Sequence, residues 1–111
     1  MAAELVTAIY RPKAGKADAL EALIAEHVPL LRERGLATDR TSTVMRCASD
    51  GTLIEIFEWV DEQAAHKAHT DEAVGPFWGR INEVADYIPW VELAEALVPF
   101  PHFEPVDALA R

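Results

Sequence analysis

The chain has 111 residues, half of them hydrophobic and 26% charged, a globular composition that suits one small domain (1–111) with a modest core. Its 19 acidic against 10 basic side chains leave a formal charge of −9, and such a surface repels phosphate backbones and anionic lipid, which excludes nucleic acid and membrane as partners. Cys47 is the single cysteine, so no internal disulfide can form, and "MAAELVTAIY" lacks the basic start and apolar run of a signal peptide; the expected compartment is the cytoplasm.

"ELVTAIYR", 4–11, is β-rich and apolar on alternating faces, and reads as a buried strand before the turn "PKAGK". From Ala17 to Glu33, Leu20, Leu23, Ile24, Val28 and Leu31 recur at helical spacing opposite Asp18, Glu21, Glu26 and Arg32. Pro29 lacks an N–H and leaves the Ala25 carbonyl unpaired, which predicts a kink or break near His27. Gly35 is the natural C-terminal cap. "TSTVMRCA" and "TLIEIFEWV" flank Asp50-Gly51, a hairpin signal. A two-residue turn there pairs Ser49 with Thr52 and sets Arg46 opposite Glu55 as a cross-strand ion pair.

"DEQAAHKAH" predicts a short helix capped by Asp61, then a second helical piece capped by Asp71 or Gly75, with the break near Gly75-Pro76. Phe77, Ile81, Val84 and Ile88 form its apolar stripe. "YIPWVEL" reads as a last short strand pushed towards an edge by Pro89. Residues 95–111 are expected as an extended, docked arm. The order is β-α-β-β-α-β, an α+β ferredoxin-like arrangement with an antiparallel sheet. Two helices cover one face of such a sheet, yet the strands are apolar on both: Leu53, Phe57 and Trp59 on one side, Ile54, Ile56 and Val60 on the other. The tail apart, a second copy of the sheet is the simplest cover, which predicts a homodimer.

Several polar residues bear on chemistry. Glu62, His66 and His69 fall on one helical face at metal-ligand spacing, but a fourth ligand is lacking and exposed side chains on a polar face explain the same letters, so no metal is expected. His27, beside Pro29, reads as a core histidine satisfied by the freed Ala25 carbonyl, within reach of the space between helix and sheet. Glu58 shares a strand face with Ile54 and Ile56, so it needs a pocket or a basic partner, with Arg11 and Arg40 as candidates. Trp59 and Trp78 follow apolar periodicity and read first as core. Phosphate-binding loops, C-x-x-C and G-x-S-x-G are all absent.

The run "IEIFEWVDEQAAHKAH", followed by "AVGPFW" and "YIPWVEL" and preceded by "GLATDR", resembles the antibiotic biosynthesis monooxygenase (ABM) family of the dimeric α/β barrel superfamily, in particular one bacterial branch of it. The resemblance spans nearly the whole chain. It implies two sheets from two chains closing a barrel, with a ligand pocket in each protomer between sheet and helices. His69 stands at the histidine of the family's "A-H" pair and is the expected catalytic base, with His27 as the other candidate; a helix-end histidine bonding a backbone carbonyl explains the same residue. His27, Arg46, Glu58, Trp59 and Trp78 are the expected substrate-binding residues, with Arg46 as anion partner and the tryptophans as walls. Haem-degrading relatives need an asparagine on the first strand; the lone asparagine here, Asn82, falls in the second helix, so no haem and no other cofactor is expected. The implied function is a cofactor-independent monooxygenase acting on a small aromatic compound. The alternative is a non-catalytic ligand-binding or structural homodimer of the same fold.

Overall fold

A computed structural model describes residues 2–111. The elements, in chain order, are β1 (Glu4–Pro12), α1 (Ala17–Glu33), β2 (Thr43–Arg46), β3 (Leu53–Trp59), α2 (Ala64–Thr70), α3 (Val74–Val84), β4 (Ala85–Tyr87) and β5 (Glu104–Pro105). The sheet is antiparallel throughout, in the order β4-β1-β3-β2-β5. This α+β architecture is compatible with a ferredoxin-like fold carrying a fifth strand beyond β2.

The helix α1 forms because Leu20, Leu23, Ile24, Val28 and Leu31 make one stripe, all buried against the sheet side. Each such side chain contributes roughly 1.5–3 kcal/mol on burial. Contrary to expectation, Pro29 does not break the helix, which runs unbroken to Glu33 with Pro29 on its exposed side. The flanking turns are held by tertiary packing, which outweighs one lost hydrogen bond. Gly35, with φ of 75°, ends the helix as predicted: its N–H reaches the Arg32 carbonyl at 2.9 Å and the Leu36 N–H reaches Leu31 at 2.8 Å. That pair of bonds is a Schellman motif.

The hairpin departs from the predicted register. Arg46 pairs with Leu53 and Val44 with Glu55, so each residue of β2 sits two positions from its expected partner. The turn uses Ala48 to Gly51 rather than Asp50-Gly51 alone, closed by Cys47 and Thr52 at 2.8 Å with Gly51 at φ of 77°. Asp50 Oδ1 accepts the Thr52 N–H at 3.0 Å, which favours the longer loop. A shift of two keeps every side chain on its own face.

Three further elements differ from the sequence reading. The helical break after β3 falls at Asp71–Ala73, where Asp71 Oδ1 accepts the N–H groups of Ala73 and Val74, and Pro76 sits comfortably in the first turn of α3. Asp61 is not the cap of α2; it opens a turn, and the helix starts at Ala64. The last strand of the expected set is Ala85–Tyr87 rather than 87–93. Pro89 has no N–H to donate, and the chain turns into a short 3-10 helix over Trp90–Glu92.

The segment after β4 crosses the outer face of the sheet, the one turned away from the helices. Ile88 binds the Ile9 carbonyl at 3.1 Å, Trp90 Nε1 donates to Thr7 Oγ1 at 3.0 Å, and Ser49 Oγ donates to Glu95 at 2.9 Å. Leu93 and Phe103 pack on Ile9, Cys47 and Ile54. Glu104–Pro105 then joins β2 as an edge strand, and Leu109 reaches the helix-side core. Much of the cover that the outer strand face requires is thus supplied by this chain.

Candidate functional site

Glu55 lies on β3 between Leu53 and Phe57, and strand alternation turns it with them towards the helices, where it is 1% exposed. Two donors meet there on one oxygen. Tyr10 Oη, from β1, donates to Glu55 Oε1 at 2.8 Å, and His27 Nδ1, from α1, lies 2.8 Å from the same atom. On the opposite edge of the imidazole, Trp78 Nε1 of α3 donates to His27 Nε2 at 2.8 Å. An indole nitrogen is a donor only, so Nε2 must be the accepting nitrogen; the ring proton therefore sits on Nδ1 and points at Glu55. His27 is held in one tautomer, stacked 5.8 Å from Phe77 and edge-on to Phe57 at 5.5 Å. Its partners are Glu55 and Trp78, not the Ala25 carbonyl expected from the Pro29 position. Burial, reinforced by Glu55, raises the Tyr10 phenol well above its ordinary value. Tyr87 is raised by the same two causes.

This hydrogen-bonded chain forms part of the wall of a cavity of about 490 Å³ between the sheet and the α2–α3 helices. Val6, Ala8, Phe57, Trp59 and Ala65 give it apolar sides, and Tyr10, His27 and Trp78 line it from the hydrogen-bonded chain. His69, Asn82 and Tyr87 are exposed lining residues at its rim. The His69 ring stands edge-on to Trp78, 5.1 Å between centroids and 73° between planes, and makes no side-chain hydrogen bond among the described residues. The Trp59 indole N–H is likewise without a partner among them. Gly79 lines the cavity from α3, and a Cβ there would meet nothing within 4 Å. A second groove, of about 550 Å³, lies between α1 and α3 with exposed Glu26, Glu33 and Arg80 among its lining residues.

Of the residues singled out from the sequence, His27, Trp59, His69 and Trp78 come together around the cavity. Arg46 and Glu58 do not line it. Arg46 is held by Glu21 at 2.8 Å and by Glu104, because the hairpin offset removes Glu55 from its reach and β5 brings Glu104 beside it. Glu58 points to the outer face, where it accepts Thr38 Oγ1 at 2.8 Å and Arg40 Nε at 3.0 Å. Arg40 is thus its basic partner, while Arg11 binds Asp50 and Glu92. Glu62 precedes α2 instead of sharing a helical face with His66 and His69. No cluster of three or more His, Cys, Asp or Glu suited to a metal occurs among the described residues.

Glu55, Tyr10, Asn82 and Tyr87 are the site residues that the sequence reading passed over. The signal for Glu55 was present: it has the parity of Leu53, Phe57 and Trp59, so a strand with those residues inward must bury it. Comparison of the chain with protein-family models, curated proteins and solved structures finds no match, so the cavity's own residues carry the functional argument.

Proposed function

We propose that the cavity binds a small hydroxylated aromatic and that the chain is an ABM-like, cofactor-independent monooxygenase with His69 as its base. The observation that carries this reading is an aromatic-walled cavity in which His69, unlike His27, keeps both ring nitrogens free of partners among the described residues. In the reaction, His69 takes the phenolic proton, and the electron-rich ring then reduces dioxygen. One oxygen atom bonds to a ring carbon and ends as a quinone carbonyl; the other leaves as water, taking the one hydrogen of that carbon and the phenolic proton handed back by His69. The substrate supplies all the electrons. The imidazolium left on His69 is the counter-charge for the phenolate. Oxygen uptake with a panel of hydroxylated naphthalenes and anthrones tests it: turnover by wild type, lost by at least about a hundredfold in His69→Ala, is expected of a general base. Absence of uptake on every substrate, with aromatic ligands bound equally by both proteins, removes the catalytic role.

A second reading, a ligand-binding dimer without turnover, draws on one specific observation. His27, Tyr10 and Tyr87 are all committed to protein hydrogen bonds, which leaves little acid–base machinery. Both readings place two copies together through their outer sheet faces, where Leu5, Val91, Leu97, Val98 and Phe100 remain exposed. The dimeric barrel of the ABM resemblance supports that assembly.

A further inference from the structure

The hydrogen-bonded chain Tyr10–Glu55–His27–Trp78 takes one side chain from each of β1, β3, α1 and α3, and it ends on an indole that is itself a cavity wall. We propose that Glu55 and His27 are positioning residues, which fix the Trp78 indole, and through it the His69 ring, in the orientation in which the cavity receives its ligand. The proposal rests on reading the cavity as the ligand site.

Each link removes one freedom. Trp78 is half-buried, and packing on one side would leave its ring more than one rotamer. Donation from Nε1 to an acceptor held at 2.8 Å selects one of them. The acceptor in turn cannot turn over: a flipped imidazole would present carbon to both Glu55 and Trp78 and lose both bonds. Phe77 lies parallel to that ring within 1°, and Phe57 meets it at 85°. The carboxylate is fixed by Tyr10. On the other side of the indole, His69 has no hydrogen bond among the described residues to orient it, so the contact with Trp78 at 5.1 Å sets its ring. An apolar set of the same volume would fill this space as well. What the polar chain adds is one defined arrangement, the best-attested use of buried polar groups.

The test is nuclear magnetic resonance on the full chain, with 1-naphthol as the probe ligand. In wild type the His27 ring should be the Nδ1–H tautomer, the Trp78 indole proton should lie downfield and exchange slowly, and His69 should show ring-to-ring contacts with Trp78. His27→Phe keeps the ring and loses both bonds. The indole proton should then move upfield and exchange at least about tenfold faster, as expected when a buried bond is lost, with the His69 contacts weakened. His27→Gln offers a carbonyl oxygen to the indole and should restore part of each signal. Affinity for 1-naphthol should fall about tenfold in His27→Phe and recover in His27→Gln. An Nε2–H tautomer in wild type overturns the proposal without any variant, so it stays falsifiable if His27→Phe does not fold. An unchanged indole signal in folded His27→Phe overturns it too, as does unchanged naphthol affinity beside a loosened indole. Failure of wild type to bind 1-naphthol counts against the ligand reading instead, while the tautomer and ring contacts still decide the positioning of Trp78 and His69.

Discussion

Glu55 accepts two hydrogen bonds through one oxygen and leaves the other, Oε2, buried and without a partner among the described residues. A buried acceptor with two committed donors is costly to remove, because each donor is then left unpaired at about 1–3 kcal/mol. Glu55→Leu should therefore lower stability by roughly 2–5 kcal/mol in urea unfolding, and Glu55→Gln, which keeps an accepting oxygen, by less than half of that. A more stable leucine variant would show that the orphaned oxygen outweighs the bonds. Alkaline stability follows from the same burial. Tyr10 is raised above its ordinary value of 10.0, so its contribution is intact below that pH. It is lost as the pH climbs further, since the unfolded chain releases the proton first. Burial, with Glu95 adding to it, pushes the Cys47 thiol from 9.0 up to about 11, which opens the same loss one unit earlier. Urea midpoints should fall steadily from pH 9 upwards, and Tyr10→Phe should flatten the upper part of that slope. Of the six candidate site residues, His27, Trp59 and Trp78 were legible because helix and strand periodicity point them inward, while His69, exposed at the rim, was singled out by the family resemblance alone. Arg46 was misplaced, since its partners Glu21 and Glu104 lie on elements whose docking no local pattern encodes; for Glu58 the sequence offered a pocket or a basic partner, and the partner, Arg40, is what the fold supplies.

Among the elements, α1 was legible to its last residue, since a clean stripe and a positive-φ glycine both speak locally. The same helix holds the clearest misreading. Pro29 argues for a break, and long-range packing of Val28 and Leu31 against Phe57 and Trp59 keeps the helix whole. Because Pro29 is exposed, Pro29→Ala should restore the bond to the Ala25 carbonyl without disturbing the core, and raise stability by about 1–3 kcal/mol. Thermal unfolding decides it; an unchanged or lowered midpoint would mean that the proline's restriction of the unfolded chain outweighs the missing bond. The hairpin register failed for a different reason. Asp50-Gly51 is a strong signal for where the chain turns, but loop length was fixed by the Asp50 side chain bonding Thr52, which composition does not reveal. β5 was invisible for want of length: two residues, one of them proline, carry no period.

For the molecule as a whole, the outer sheet face is partly covered by the chain's own residues 88–105, and that covering segment leaves Val91, Leu97 and Phe100 at 82%, 83% and 85% exposure. Light scattering at micromolar concentration should give twice the chain mass of 12.3 kDa. Leu97→Glu with Phe100→Glu should return it to one chain with little change in the unfolding midpoint of the fold itself. A wild-type species of 12.3 kDa would remove the homodimer. The sheet-crossing segment also bears on how such a chain folds. β4 pairs with β1 across roughly two thirds of the sequence, and β5 forms the far edge beside β2. A chain in which residues 88–105 have yet to dock presents Ile9, Ile54 and Ile56 bare, with β2 an open sheet edge beside them. Such partly folded copies are where this fold is most exposed to mispairing with itself.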